Sequence, residues 1–250
     1  MEKIKVEYTK PFGPGILKGN LPDKILKGLL NISQDVIDKK ITKWNRALVG
    51  AIKDEWKIPE LLYKDYKVDG FLKKVFETYA LAHLSEMREA HELTGASTRE
   101  YNPEIEVKIG DGWINYMKEH EYNPIHFHSN CTLSSIFYLN DYCGDEPIVE
   151  NKNMLCEDGF TNFVNGSSVN GSVLSDRPED TTSYRNFGKL ASINNKTHIS
   201  VKPKQGLFFV FPQWLLHQVN PFKGKGVRIT ASINCGIRYL NPNRRLEELR

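Results

Sequence analysis

GVRITASIN, residues 226–234, sets Val227, Ile229, Ala231 and Ile233 against Arg228, Thr230, Ser232 and Asn234 in strict alternation. Successive side chains of a strand point to opposite faces, so one face of this segment is apolar and the other polar. An arginine on an inward polar face is costly unless it meets a carboxylate, supplied by the protein or by a ligand. Thr230 would stand beside Arg228 as a hydroxyl donor.

The same grammar extends through the second half of the chain. From Pro103 onward come EIEVKIG, WINYM, PIHFH, TLSSIFYLN, HISVKP, GLFFVFP and LLHQV, short runs of alternating or continuous apolar character. They predict a β sandwich or barrel. Residues of about 143–196, rich in Gly, Ser, Asn and Asp, read as a long insertion with one or two strands, and loops of that size in a compact domain serve as functional covers or are disordered.

The first hundred residues read as mainly helical. Ile25, Leu29, Ile32 and Val36 recur at helical spacing and predict a helix over Pro22–Asp38. Leu72, Val75, Phe76, Tyr79 and His83 predict another over Gly70–Leu93, ending before Gly95. Helices followed by strands give an α+β, mainly β fold, a single domain over 1–250 in which residues 1–100 buttress a β core over 101–240.

Composition narrows the function. With 40% hydrophobic and 26% charged residues the 250-residue chain is an ordinary globular protein. Lys and Arg number 34 against 31 Asp and Glu and are spread along the chain, so no nucleic-acid surface is signalled. No run approaches the roughly 18 apolar residues that span a bilayer, and a cytoplasmic location is expected. Cys131, Cys143, Cys156 and Cys235 form no C-x-x-C pair and read as buried thiols.

His126 and His128 stand at i and i+2, so a strand would present both imidazoles on one face. His217, just beyond an apolar run and a Pro-Gln-Trp corner, is placed to bring a third nitrogen from a distant strand. Three convergent donors leave open coordination positions on an ion. The plain alternative for the pair is two hydrogen-bonded strand histidines, and for Arg228 a structural ion pair. His83, His91 and His120 read as structural or exposed, and Phe211 and Trp214 as packing for the corner that aims His217.

HFHSNCTLSSIFYL (126–139), GLFFVFPQWLLHQVNP (206–221) and RITASIN (228–234), in that order, resemble the Fe(II)- and 2-oxoglutarate-dependent dioxygenases, particularly a group found in phages and bacteria. The resemblance covers roughly residues 101–238. It implies a double-stranded β-helix (jelly roll, cupin-like), Fe(II) held by His126, His128 and His217, and 2-oxoglutarate held by Arg228 and Thr230. Asn115 and Tyr138 are further candidate contacts for the cosubstrate. The implied reaction uses O2 to hydroxylate a C–H bond of an unidentified substrate, releasing succinate and CO2. The wider superfamily has Asp or Glu where His128 stands, which leaves a second reading of His128 as a neighbour rather than a ligand. The segment 143–196 would be the lid, and a homodimer is expected. Two other readings stay open: a cupin-like three-histidine dioxygenase that does not use 2-oxoglutarate, and a non-catalytic phage β-sandwich protein.

Overall fold

In the computed structural model, which describes residues 5–10, 14–39, 41–44, 48–93, 104–148, 157–165 and 198–239, the alternating segment becomes the last strand of a large antiparallel sheet. The elements in chain order are β1 (Val6–Thr9), β2 (Ile16–Asn20), α1 (Asp23–Asp38), β3 (Thr42–Lys43), β4 (Glu55–Lys57), α2 (Glu60–Asp65) and α3 (Asp69–Leu93). There follow β5 (Ile105–Met117), β6 (Asn123–His126), β7 (Leu133–Tyr138), β8 (Thr161–Val164), β9 (His198–Val201), β10 (Leu207–Pro212), β11 (Leu216–Val219) and β12 (Arg228–Tyr239). One sheet has eight strands in the order β1-β2-β10-β7-β12-β5-β4-β3, and the other has four, β6-β11-β8-β9.

The alternation read in β12 sorts the two faces of the large sheet. Ala231 pairs with Ile114 on β5 and Phe137 on β7, and these join Phe208, Val210 and Ile233 in the main apolar cluster. Leu29, Ile32 and Val36 of α1 and Leu72, Val75 and Phe76 of α3 belong to the same cluster, so the helices cover this outer face. Each such side chain contributes about 1.5–3 kcal/mol when fully buried. The opposite face looks toward the small sheet. Ile136, Phe209 and Phe211 pack there against Phe163 of β8 and Val201 of β9.

The two long helices lie within a residue of their expected spans. The N-terminal hundred residues differ from expectation by also contributing four strands, β1 to β4, which extend both edges of the large sheet. Glycines and prolines in "KPFGPGILKGN" read as turn residues, but Gly19 sits in a strand because backbone approaches a ring: a Cβ there would stand 2.6 Å from Phe208 Cζ. EIEVKIG and WINYM, read as separate runs, are one strand, β5, which passes Gly110–Gly112 through a register shift opposite Ile233 and Cys235 of β12. β8 falls inside the stretch 143–196; residues 149–156 and 166–197 lie outside those described, and the lid expectation with them. Among the described residues no helix is long and apolar enough to cross a membrane.

Gly19→Val should overpack this contact and lower stability by about 1–3 kcal/mol, read as a lower urea midpoint with an unchanged slope. An unchanged midpoint would contradict the close approach.

Candidate metal centre

The small sheet assembles the histidines. β11 lies antiparallel to β6 with His217 directly opposite His126, and on its other side His217 is opposite Phe163 of β8. His128 is not on the strand as the i, i+2 reading expected, because β6 ends at His126. It is held instead by the Pro-Gln-Trp corner: the His128 N–H donates to the Gln213 carbonyl at 2.8 Å, and Gln213 Oε1 accepts from the Cys131 N–H at 3.3 Å. The His128 ring stacks on His217, 4.9 Å apart and 7° from parallel, with Trp113 at 5.7 Å. Phe211 packs edge-on against His217 at 4.9 Å, whereas Trp214, expected to help aim the same residue, is 58% exposed.

The three rings each offer a nitrogen, and these atoms all lie within 4.8 Å of one another. The His126 Nδ1–H donates to the Pro124 carbonyl at 2.7 Å and the His217 Nδ1–H to the Leu215 carbonyl at 2.9 Å. A carbonyl only accepts, so both Nε2 atoms carry free lone pairs, the tautomer a metal needs. His128 Nε2 lies 3.0 Å from His217 Nε2. Two imidazole nitrogens about 2.1 Å from one ion and at right angles to each other stand about 3.0 Å apart, so this spacing suits shared coordination. Burial lowers the pKa of all three. For His128, burial and then the charge of His126 push it down to about 4, and His217 falls well below its ordinary value through burial and then its two neighbours. The cluster is neutral at pH 7.

Arg228 lies on the inner face of β12, 1% exposed. Its Nε–H donates to the Gly159 carbonyl and its Nη2–H to Thr161 Oγ1, both at 2.8 Å, and Tyr138 Oη donates to the same Thr161 oxygen at 2.7 Å. Among the described residues no carboxylate lies within ion-pair distance of it. Burial lowers its pKa, but a guanidinium stays charged, so this is a buried cation without a counter-ion among the described residues. Asn115 Nδ2 donates to Thr230 Oγ1 at 3.1 Å and Ser232 Oγ at 3.2 Å. Arg228, Thr230, Asn115 and the three histidines line one cavity of about 30 Å³. That is room for about two waters, so side chains must shift before a dicarboxylate can occupy it. Tyr138 lies behind Arg228, its ring 5.4 Å from the guanidinium carbon, rather than on the cavity wall.

A second cavity of about 330 Å³ borders His126 and His128. Trp113, Asn123, His126 and His128 line both, and Trp44, Val49 and Phe127 help to wall the larger one. Val49 and Phe127 are more than 60% exposed, an apolar rim such as binding sites carry. Thr161, Gln213 and Glu55 are site residues the sequence reading missed. Thr161 sits in the β-prone run "FTNFV" inside the presumed insertion, and Glu55 in an alternating "EWK" before Pro59.

Residues 111–234 match the family described as "Putative 2OG-Fe(II) oxygenase". No curated protein matches the chain by sequence. Among solved structures, the chain is similar to the non-heme alpha ketoglutarate dependent epimerase SnoN from nogalamycin biosynthesis, with a TM-score of 0.50, 13% identity, and coverage of 94% of this chain and 83% of that one. It is also similar to a Pseudomonas putida prolyl-4-hydroxylase, with a TM-score of 0.47, 12% identity and coverage of 89% and 92%. HygX from Streptomyces hygroscopicus, solved with nickel and 2-oxoglutarate bound, has a TM-score of 0.43, 12% identity and coverage of 89% and 83%. The likeness to SnoN shows the fold, a double-stranded β-helix.

Glu55 provides a pH signature. Burial, and then the charge of Glu121, raise its pKa from 4.5 to about 8. The folded state keeps a proton that the unfolded chain gives up, so the contribution to stability is full below about pH 4.5 and lost as pH rises to about 8. Glu55→Gln should therefore raise the melting temperature relative to wild type at pH 8.5 by several degrees more than at pH 5. Parallel pH profiles would contradict the raised value.

Proposed function

We propose, from the match of residues 111–234 to the 2OG-Fe(II) oxygenase family, that His126, His128 and His217 hold Fe(II) while Arg228 receives the far carboxylate of 2-oxoglutarate. The observation that carries this reading is the buried Arg228 guanidinium, without a carboxylate partner among the described residues, in the same cavity as three neutral imidazoles. A dicarboxylate answers both demands at once, because one end pairs with the guanidinium and the other reaches the histidines.

When bound, Fe(II) with 2-oxoglutarate and O2 supplies oxidative decarboxylation to succinate and CO2, coupled to hydroxylation of a C–H bond. The protein's part is positioning and exclusion of water. The Gly159 carbonyl and Thr161 fix the Arg228 fork before any ligand arrives, so little side-chain entropy is lost on binding. Thr230 Oγ1 accepts from Asn115, which leaves its own O–H free to donate to a carboxylate beside Arg228. Asn115 in this role orients Thr230, and Tyr138 orients Thr161. Phe211 and Phe163 keep water from the back of His217.

His128 is the third nitrogen donor where the wider superfamily has a carboxylate. Three neutral ligands offset none of a divalent ion's charge, so the 2-oxoglutarate dianion becomes the group that balances it. A cupin-like oxygenase without 2-oxoglutarate has no need of a buried cation beside its histidines, and Arg228 speaks against that reading.

The test is anaerobic titration of Fe(II) and then 2-oxoglutarate by calorimetry and visible absorption. His217→Ala should lose metal binding, whereas His120→Ala, an exposed turn residue, should keep it. Arg228→Ala should keep the metal and weaken 2-oxoglutarate by about 10- to 100-fold. Wild-type affinity for 2-oxoglutarate in Arg228→Ala would overturn the assignment.

A further inference from the structure

Glu55 is a carboxyl that the folding of this chain does not explain. It is 0% exposed, and neither carboxylate oxygen has a hydrogen-bond partner among the described residues. Its neighbour Glu121 is different: that side chain accepts the Lys118 N–H at 2.9 Å and the Lys53 N–H at 3.2 Å. On the same strand Lys57 could have served as counter-ion, but its Nζ is 2.8 Å from Asp111 and 4.0 Å over the Trp44 ring. A buried carboxyl left without a donor is costly, and substitution by an apolar residue would remove that cost.

The register shows where Glu55 points. Glu55 is opposite Asn115, which is opposite Thr230, which is opposite Tyr138, so the four form one row across the inner face of the large sheet. Glu55 lines the 330 Å³ cavity that also borders His126 and His128. The Glu55 oxygens and Asn234 Oδ1 in the wall of this cavity are acceptors without a partner among the described residues, and so is Asn115 Oδ1, next to Glu55 in the row. Trp44 and Trp113 add aromatic faces. Acceptor oxygens, a carboxyl and aromatic rings together suit a donor-rich organic cation.

We propose that Glu55 anchors the prime substrate, and that the substrate carries an alkylammonium or guanidinium group seated in the cavity beside His126 and His128. This rests on the reading of the three histidines as the reactive metal site, which makes the adjoining cavity the place where a C–H bond is presented. Glu55 binds the substrate's charge and takes no part in the oxidation. Its raised pKa agrees with a site that lacks its counter-charge until the ligand arrives.

The experiment is an NMR titration of the metal-free full chain with n-butylammonium and ethylguanidinium, with butyramide and butyrate as neutral and anionic controls. Wild type should bind at least one of the cations saturably, and Glu55→Gln should weaken that binding about tenfold or more, while neither control saturates. Glu55→Ala, which removes the carboxyl altogether, should behave as Glu55→Gln does and guards against a misfolded single variant. The proposal is overturned if neither cation binds wild type, if both variants bind as wild type does, or if butyramide binds as tightly as the cations. Arg228→Ala should keep cation binding while its 2-oxoglutarate binding weakens, so failure of the metal-site reading appears in the 2-oxoglutarate titration and failure of this proposal appears in the cation titration.

Discussion

The antiparallel ladder between β5 and β12 decides what every other part of the site can be. It runs from Arg228↔Met117 to Tyr239↔Ile105 and is flanked by β7 on one side and β4 on the other. Because side chains alternate with a period of two, this register puts Ile114 and Ala231 under the helices and Asn115, Thr230 and Arg228 inside. A slip of one residue would bury the polar row against α1 and α3 and turn the apolar one toward the histidines. The helices therefore do more than stabilise. By demanding apolar partners on the outer face, they fix the polar face as the inner one.

Electrostatics then divides the interior into two halves that need different ligands. On the Arg228 side there is a buried cation, two hydroxyls and, among the described residues, no anion, an environment that favours a carboxylate. On the Glu55 side the buried polar atoms without a partner among the described residues are acceptors, an environment that favours a cation. Three imidazoles line the cavity with Arg228, their pKa lowered by burial and, for His128 and His217, by the neighbouring histidines as well. His126 and His128 line both cavities, so the two proposed ligands would meet at the same pair of imidazoles.

Much of this was legible in the sequence where one residue type at one spacing has few alternative uses. The strict alternation of 226–234 placed Arg228 inward, and His217 beyond its apolar run pointed to a ligand brought in from another strand. The His128 ring was expected beside that of His126 and lies 5.4 Å from it, but a backbone hydrogen bond to Gln213 rather than strand geometry brings it in. The short strands β2 and β4 escaped because they have three to five residues and take their stability from pairing on both sides, which local pattern does not report. Thr161 and Glu55 escaped for a related reason: each gains its meaning only from a partner more than fifty residues away, Arg228 for one and Asn115 for the other. Trp214 misled because an aromatic beside a proline reads as packing, yet the corner turns it outward and leaves Phe211 to support His217.

The central claim is that three imidazoles, His128 among them, hold one metal ion. X-ray absorption at the iron edge of the anaerobic Fe(II)-loaded protein tests it most directly, because imidazole rings give a distinctive outer-shell scattering that counts them. The account predicts three imidazoles in wild type and two in His128→Ala. Two imidazoles in both, with an oxygen ligand in the third protein position, would contradict it.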